Sequence, residues 1–296
     1  MNTIIDNAHF GVERSRGLIL ATTRALGVHA DAVTVVGAHA VHAWARTKWG
    51  DIDMESTRDG DLVINPVFVA EQPSILEAMQ TIGLEPAGTA RPGIYGFPEE
   101  ADLDWSQRTT IDLIVPEAYA GGGGKQARSA RMAGQNKAAS RARGLEIAIH
   151  DRHLMELPAL DRSGDAIDVH IAGPAALLIA KAHKVGERMA EFDTHPDRVK
   201  AKDSGDVALL MMVSDGASSA RTIAAAVEAD PIVADAARAG ARYLIDLYSA
   251  SGAVMPREDA VESLAARFDE EEVLVAIDGW LDAFITEGNA AGLIGD

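Results

Sequence analysis

The chain has 296 residues, 47% of them hydrophobic, enough to bury a sizeable core as one large or two medium domains. It contains no cysteine, which excludes disulfides, thiolate nucleophiles and Cys-ligated zinc. A formal charge of −18 argues against a protein coated by nucleic acid, because phosphate binding needs clustered Lys and Arg.

The start, Met1-Asn2-Thr3-Ile4-Ile5-Asp6-Asn7, lacks the basic flank and apolar run of a signal peptide. No stretch approaches the ~20 apolar residues needed to span a bilayer, so the expectation is a soluble, cytoplasmic protein with no membrane partner. A helical pattern runs over residues 12–26, followed by a short strand at 32–36 and a helix at 38–45. A strand is expected at 60–65. Residues 73–82 read as a helix, with Pro73 near its first turn and Gly83 at its end. Thr109-Thr110-Ile111-Asp112-Leu113-Ile114-Val115 is β-branched and bounded by Pro116, the signature of a strand. The glycines at 121–124 form a loop that leads into a basic stretch, and 145–149 is expected as another strand. After Gly173-Pro174 the character changes: 175–190 is helical, and nearly everything from Val207 onward is Ala-rich at helical spacing. The expected fold is therefore an α/β domain over residues 1–165 and a mainly helical C-terminal domain over 166–296.

The chemistry concentrates in Thr57-Arg58-Asp59-Gly60-Asp61-Leu62-Val63-Ile64. Strand geometry puts Asp59 and Asp61 on one side, since side chains alternate with period two. Two carboxylates that close repel unless a cation neutralises them, and a hard ion such as Mg²⁺, shared with substrate phosphates, is the natural candidate. Upstream, Val35-Val36-Gly37-Ala38-His39-Ala40 places a glycine turn at a helix start, where backbone N–H groups suit a triphosphate. Asp51-Ile52-Asp53 is a competing acidic pair closer to Gly37, in a less strand-like setting. Asp112 either completes a three-carboxylate site beside Asp59 and Asp61 or faces solvent on the open side of its strand.

A second constellation follows Pro174. Leu178, Ala182, Val185 and Met189 form an apolar stripe, and Lys181, Lys184 and Arg188 form a cationic one about a quarter-turn away. Those cations could reach nucleotide phosphates, or could form a solvated face paired with Glu187 and Glu191. Asp203 and Asp206 share the face of a helix start, where they could cap it, fix Lys181 or receive a proton. Between Ala118 and Leu145 there is no acid, while Lys125, Arg128, Arg131, Lys137, Arg141 and Arg143 all occur. Of these, Lys125, Arg128, Arg131, Arg141 and Arg143 are the candidates for gripping a local piece of RNA. His39 and His42 fall in no zinc spacing and read as structural.

Taken in order, these pieces resemble the AbiEii-type nucleotidyltransferase toxins, including the mycobacterial tRNA-nucleotidyltransferase toxins of toxin–antitoxin pairs. The matching segments are Val36 to Ala40, Thr57 to Leu62, Ile111-Asp112-Leu113, Ala180-Lys181 through Arg188, and Lys202-Asp203 with Asp206. The resemblance implies a polymerase-β-like nucleotidyltransferase domain with a helical partner domain. It implies Mg²⁺-dependent transfer of a nucleotide from an NTP to the 3′ end of tRNA, which blocks translation, and a cognate antitoxin. Asp59 and Asp61 would be metal ligands and catalytic, with Asp112, Lys181 and Asp203 completing the catalytic set. Gly37, Ala38, Thr57, Lys184 and Arg188 would bind the nucleotide. Ala38 departs from the Gly or Ser usual at that place, leaving backbone N–H groups to hold the triphosphate. Two alternatives stand beside this reading: transfer to a protein or small-molecule hydroxyl, which the acidic charge favours, and a catalytically silent chain that binds an antitoxin.

Overall fold

A computed structural model describes residues 2–50, 57–88, 91–121, 129–132, 135–161 and 163–295. The chain divides into two compact units. The first comprises Met1–Ala43, Asp51–Ala142 and Arg152–Ala172. The second comprises Trp44–Gly50, Arg143–Asp151 and Gly173–Asp296. An α/β fold with a helical C-terminal region is what the sequence led one to expect.

In chain order the first part runs α1 (Asn2–Ala25), β1 (Val33–Val36), α2 (Gly37–Trp49), β2 (Asp59–Ile64), α3 (Ile75–Gln80), β3 (Glu85–Pro86), β4 (Ile94–Gly96), β5 (Thr110–Pro116), β6 (Ser129–Met132), β7 (Gln135–Ala142), β8 (Arg152–Pro158) and β9 (Ala166–Ala172). The described strands join in one mixed sheet of order β3-β4-β5-β2-β1-β9-β8, with β7 added alongside β5 and β6 on β7. β1 and β2 are antiparallel, whereas β2–β5, β1–β9 and β5–β7 are parallel. β1 is buried along its whole length, β2 alternates at its start and β5 alternates over residues 111–115, as central strands with one covered face should.

Gly60 identifies the covered face. A Cβ there would meet Ile19 Cγ1 at 2.5 Å and Ile111 Cδ1 at 2.7 Å, so α1 lies close against β2 and β5 on the side of Gly60 and Ile111. Only a residue without a side chain permits that approach. By the period-two rule Asp59, Asp61 and Asp112 emerge on the opposite face.

The second unit is built on α4 (Pro174–Ala190), α5 (Ala201–Val213), α6 (Gly216–Ala229), α7 (Ala234–Tyr248), α8 (Val254–Leu264) and α9 (Glu270–Ala290). α4 packs on α5 and α7, α5 on α8 and α9, and α6 on α9. The apolar stripe expected on α4 is buried through Leu178, Ala182 and Val185, while Met189 is half-buried. Gly173 at the N-cap of α4 has no side chain to cap it, and Asp151 substitutes: its Oδ2 accepts from Ala176 N–H at 2.9 Å. This satisfies one of the N–H groups that a helix start leaves without an internal partner.

Three local expectations differ from the structure. Residues 145–149 do not form a strand; Glu146–Ile149 is a 3₁₀ turn. Glu146 is buried, and its Oε2 accepts from Gly144 N–H at 2.7 Å, which closes the chain on itself; a short apolar run does not distinguish these outcomes. The helix expected at 73–82 begins only at Ile75, because Ser74 and Glu77 form a reciprocal capping box that places Pro73 outside it. The basic stretch carries two strands, β6 and β7, where the sequence suggested none; their pairing on β5 outweighs a polar composition.

Candidate active site

The start of β2 brings the first three acids together. Asp61 lies opposite Val36 of antiparallel β1 and beside Asp112 of parallel β5, while Asp59 lies beside Thr110. Val36 is followed at once by Gly37, whose φ is +67°. That is the left-handed region glycine tolerates and side chains disfavour. A Cβ on Gly37 would stand 2.0 Å from Asp61 Oδ2, so the carboxylate is seated directly over the glycine that opens α2. Gly37 and Ala38 are half-buried, leaving the N-terminal backbone of α2 partly open beside Asp61. The Thr57 hydroxyl donates to Asp59 Oδ1 and holds that side chain.

Asp112 is the strained member. Its Oδ1 is buried and has no hydrogen-bond partner, and its pKa is pushed up to about 8. Burial is the largest cause, the negative charges of Asp61 and Asp59 add to it, and Arg91 opposes it. Asp112 therefore does not face open solvent. Among the described residues no three His, Asp or Glu side chains converge as a ready-made metal cage. The three acids instead form a loose cluster of like charge.

Behind this turn lies a polar network in the first unit. Arg16, wholly buried in α1, donates through Nε to His39 Nδ1 at 3.1 Å and through Nη1 to the Pro158 carbonyl at 2.9 Å. Because His39 Nδ1 accepts, its Nε2 carries the proton and donates to Ser15 Oγ at 2.9 Å. Ser15 Oγ also stands 3.3 Å from the Thr57 carbonyl, which ties α1 to the entry of β2. His39 is structural, as its sequence context suggests, and the structure it supports is the candidate site.

In the second unit, Lys181 Nζ is 2.5 Å from Asp206 Oδ2 and 3.4 Å from Asp203 Oδ1. Lys184 Nζ is 2.8 Å from Asp203 Oδ1, and Arg188 donates to Asp203 Oδ2. The cationic stripe of α4 is thus paired by the two acids of α5. Asp203 does not cap α5, whose N-cap is Lys200. Burial works to raise the Asp203 pKa, yet the positive charges of Lys181, Lys184 and Arg188 hold it down to about 2. Lys184 stays 44% exposed in its side chain and Arg188 25%, so both keep surface for a ligand.

The candidate RNA contacts are dispersed. Arg141 is bound to Glu117 at 2.9 Å, and Arg143 lies in the other unit, 3.4 Å from the Asp235 carbonyl. Lys125, Arg128 and the Arg131 side chain lie outside the described residues, as do Asp51 and Asp53. Sequence reasoning missed Arg91, whose guanidinium sits 3.8 Å from the centre of the Trp105 ring and bears on Asp112. Its only mark in the sequence is a cation beside Pro92-Gly93, which no motif flags.

Among the described residues no helix is long and apolar enough to cross a membrane. A family model described as nucleotidyltransferase matches residues 14–227, a span that contains Asp59, Asp61 and Asp112 and the charged cluster of α4 and α5. No curated protein and no solved structure matches the chain.

Proposed function

The chain belongs to that nucleotidyltransferase family, and from this premise we propose that it transfers a nucleotide from an NTP to the 3′ end of tRNA, as the toxin of a toxin–antitoxin pair. Nucleotidyl transfer follows from the family; the tRNA acceptor and the antitoxin are supported by the resemblance of the ordered motifs to AbiEii-type toxins. The observation that carries the reading is Asp61 seated over Gly37, which sets an acid beside an open helix N-terminus. That is the combination a metal-bound triphosphate needs.

The donor set fits Mg²⁺. All the candidate ligands are carboxylate oxygens, and Asp112 carries a buried oxygen that lacks a partner. Asp59 and Asp61 would hold the ion, with phosphates completing its shell, as is usual for Mg²⁺ outside all-protein cages. When bound, it would neutralise phosphate charge and favour departure of pyrophosphate. The backbone N–H groups of Gly37 and Ala38 orient the phosphates. Asp112 takes the proton from the acceptor hydroxyl, whose oxygen forms the new bond to the α-phosphorus as the bond to pyrophosphate breaks. The charge of the bound ion would favour the ionised form of Asp112, the form that can accept a proton. In the second unit Asp203 and Asp206 hold Lys181, and the exposed parts of Lys184 and Arg188 are open to an anion.

The test is incubation of the chain with each α-labelled NTP, Mg²⁺ and total tRNA, alongside Asp61→Ala. Label entering tRNA with the wild type alone is the expected result; full transfer by Asp61→Ala would overturn the reading. The charge of −18 favours a second acceptor class, and label in protein or small molecules instead of RNA would select it.

A further inference from the structure

Within the first unit a cleft of about 530 Å³ opens where β4 and β7 both border β5. Among the described residues its lining includes Arg91 and Lys137 and no acid, in a chain with 45 Asp and Glu against 27 Lys and Arg. An acid-free cleft with two cations, on so acidic a protein, selects for an anion. The rest of the wall is largely apolar, with Leu76, Pro86 and Pro92 offering a surface for a flat ring. Arg91 is held by Trp105, and its charge reaches Asp112. Tyr95, which lines the cleft, lies opposite Ile111 on the face that α1 covers, whereas Ile94 lies opposite Asp112 on the face of the acids. Arg91, a lining residue whose positive charge acts on Asp112, is therefore what links the cleft to the carboxylate cluster.

Two further details point to a ligand. Gln135 lines the cleft, and its Oε1 accepts from Ile75 N–H at 2.7 Å, which fixes the amide and leaves Nε2 as a buried donor with no partner. Lys137 is exposed and has a φ of +71°, a conformation that favours glycine.

We propose that this cleft binds a nucleoside monophosphate unit as the reacting end of the acceptor, its phosphate paired by Arg91 and Lys137 and its base on the apolar wall. The assignment rests on the nucleotidyl-transfer reading above. The unit is either a free nucleotide or the terminal residue of a strand, and both share this chemistry.

The probes are AMP and the 5′-phosphorylated dinucleotide pApA, titrated against the full chain without metal. Two variants test the cleft. Lys137→Gly removes the cation while relaxing the backbone, and Leu76→Glu places an acid at the half-exposed rim. Each is expected to weaken AMP binding about tenfold, the effect of losing one charge-assisted contact, and to leave Mg²⁺–NTP binding unchanged. Tighter binding of pApA than of AMP identifies a strand end, and equal binding a free nucleotide. The proposal is overturned by absence of AMP binding, by unchanged affinity in both variants, or by one-for-one displacement of AMP by Mg²⁺–NTP. If Lys137-dependent AMP binding persists but no NTP label is transferred anywhere, the cleft stands and the catalytic reading fails. If transfer proceeds with an acceptor KM that neither variant alters, the cleft assignment fails alone.

Discussion

At the scale of single residues, two aspartates have opposite perturbations, and each sign sets a measurable pH dependence. Asp112 is raised to about 8, so the folded state holds its proton more tightly than the unfolded chain, and stability falls as pH climbs from the ordinary carboxylate range through 8. Asp112→Asn removes that penalty. Melting of the two proteins in a chelator should give similar midpoints near pH 4 and a higher midpoint for the variant at pH 8.5, although the variant should transfer no nucleotide. Asp203 is lowered to about 2, so it contributes stability above its unfolded pKa that is lost as pH falls toward 2. Asp203→Asn leaves Lys181, Lys184 and Arg188 without their shared anion, at a cost of about 3 kcal/mol near pH 6. Urea midpoints should show that difference shrinking toward pH 2; a gap constant with pH would mean that packing rather than charge is responsible. Asp59 and Asp61 were legible because strand parity is a property of the sequence itself. The pairing of Lys181 with Asp206 was only one of several options there, since residues 25 apart meet only once α4 and α5 have packed.

At the scale of elements, the start of α2 depends on a single glycine. Gly37→Ala must place a Cβ at positive φ and within 2.0 Å of Asp61 Oδ2. The backbone penalty alone is about 1–2 kcal/mol. Displacement of Asp61 should lower turnover by far more than that loss of stability explains. Ala38→Gly, at the next position and without either constraint, should retain activity; equal damage from the two substitutions would mean that the seating of Asp61 does not matter. The strands β2 and β5 and the helix α4 were readable because their patterns persist over several residues and end at Pro or Gly signals. The turn at Glu146–Ile149 and the strands β6 and β7 were not, because a buried hydrogen bond decided the first and edge pairing the others.

At the scale of the whole molecule, charge is the governing quantity. RNA binding by a protein of net charge −18 must be local, and Arg141 is already committed to Glu117. Its affinity for single-stranded RNA should fall with salt along a shallow slope, about −0.7 per phosphate contacted. Arg143→Ala should reduce that slope by about one contact if Arg143 touches RNA, and a salt-independent affinity would remove RNA from consideration. The family match covers the segments that the ordered motifs singled out, so the class of chemistry was already written in the chain. Composition, strand parity, helical spacing and the glycine turn are local or periodic properties, and they determined the α/β and helical parts, the acids of β2 and the class of reaction. Tertiary structure alone decided that Asp112 lies beside Asp61 with an oxygen lacking a partner, that Asp203 and Asp206 hold the cations of α4, and that Arg91 and Lys137 line one cleft. Each of these depends on charges brought together from distant positions, and the strength of such interactions is set by distance and burial, which exist only after the chain has folded.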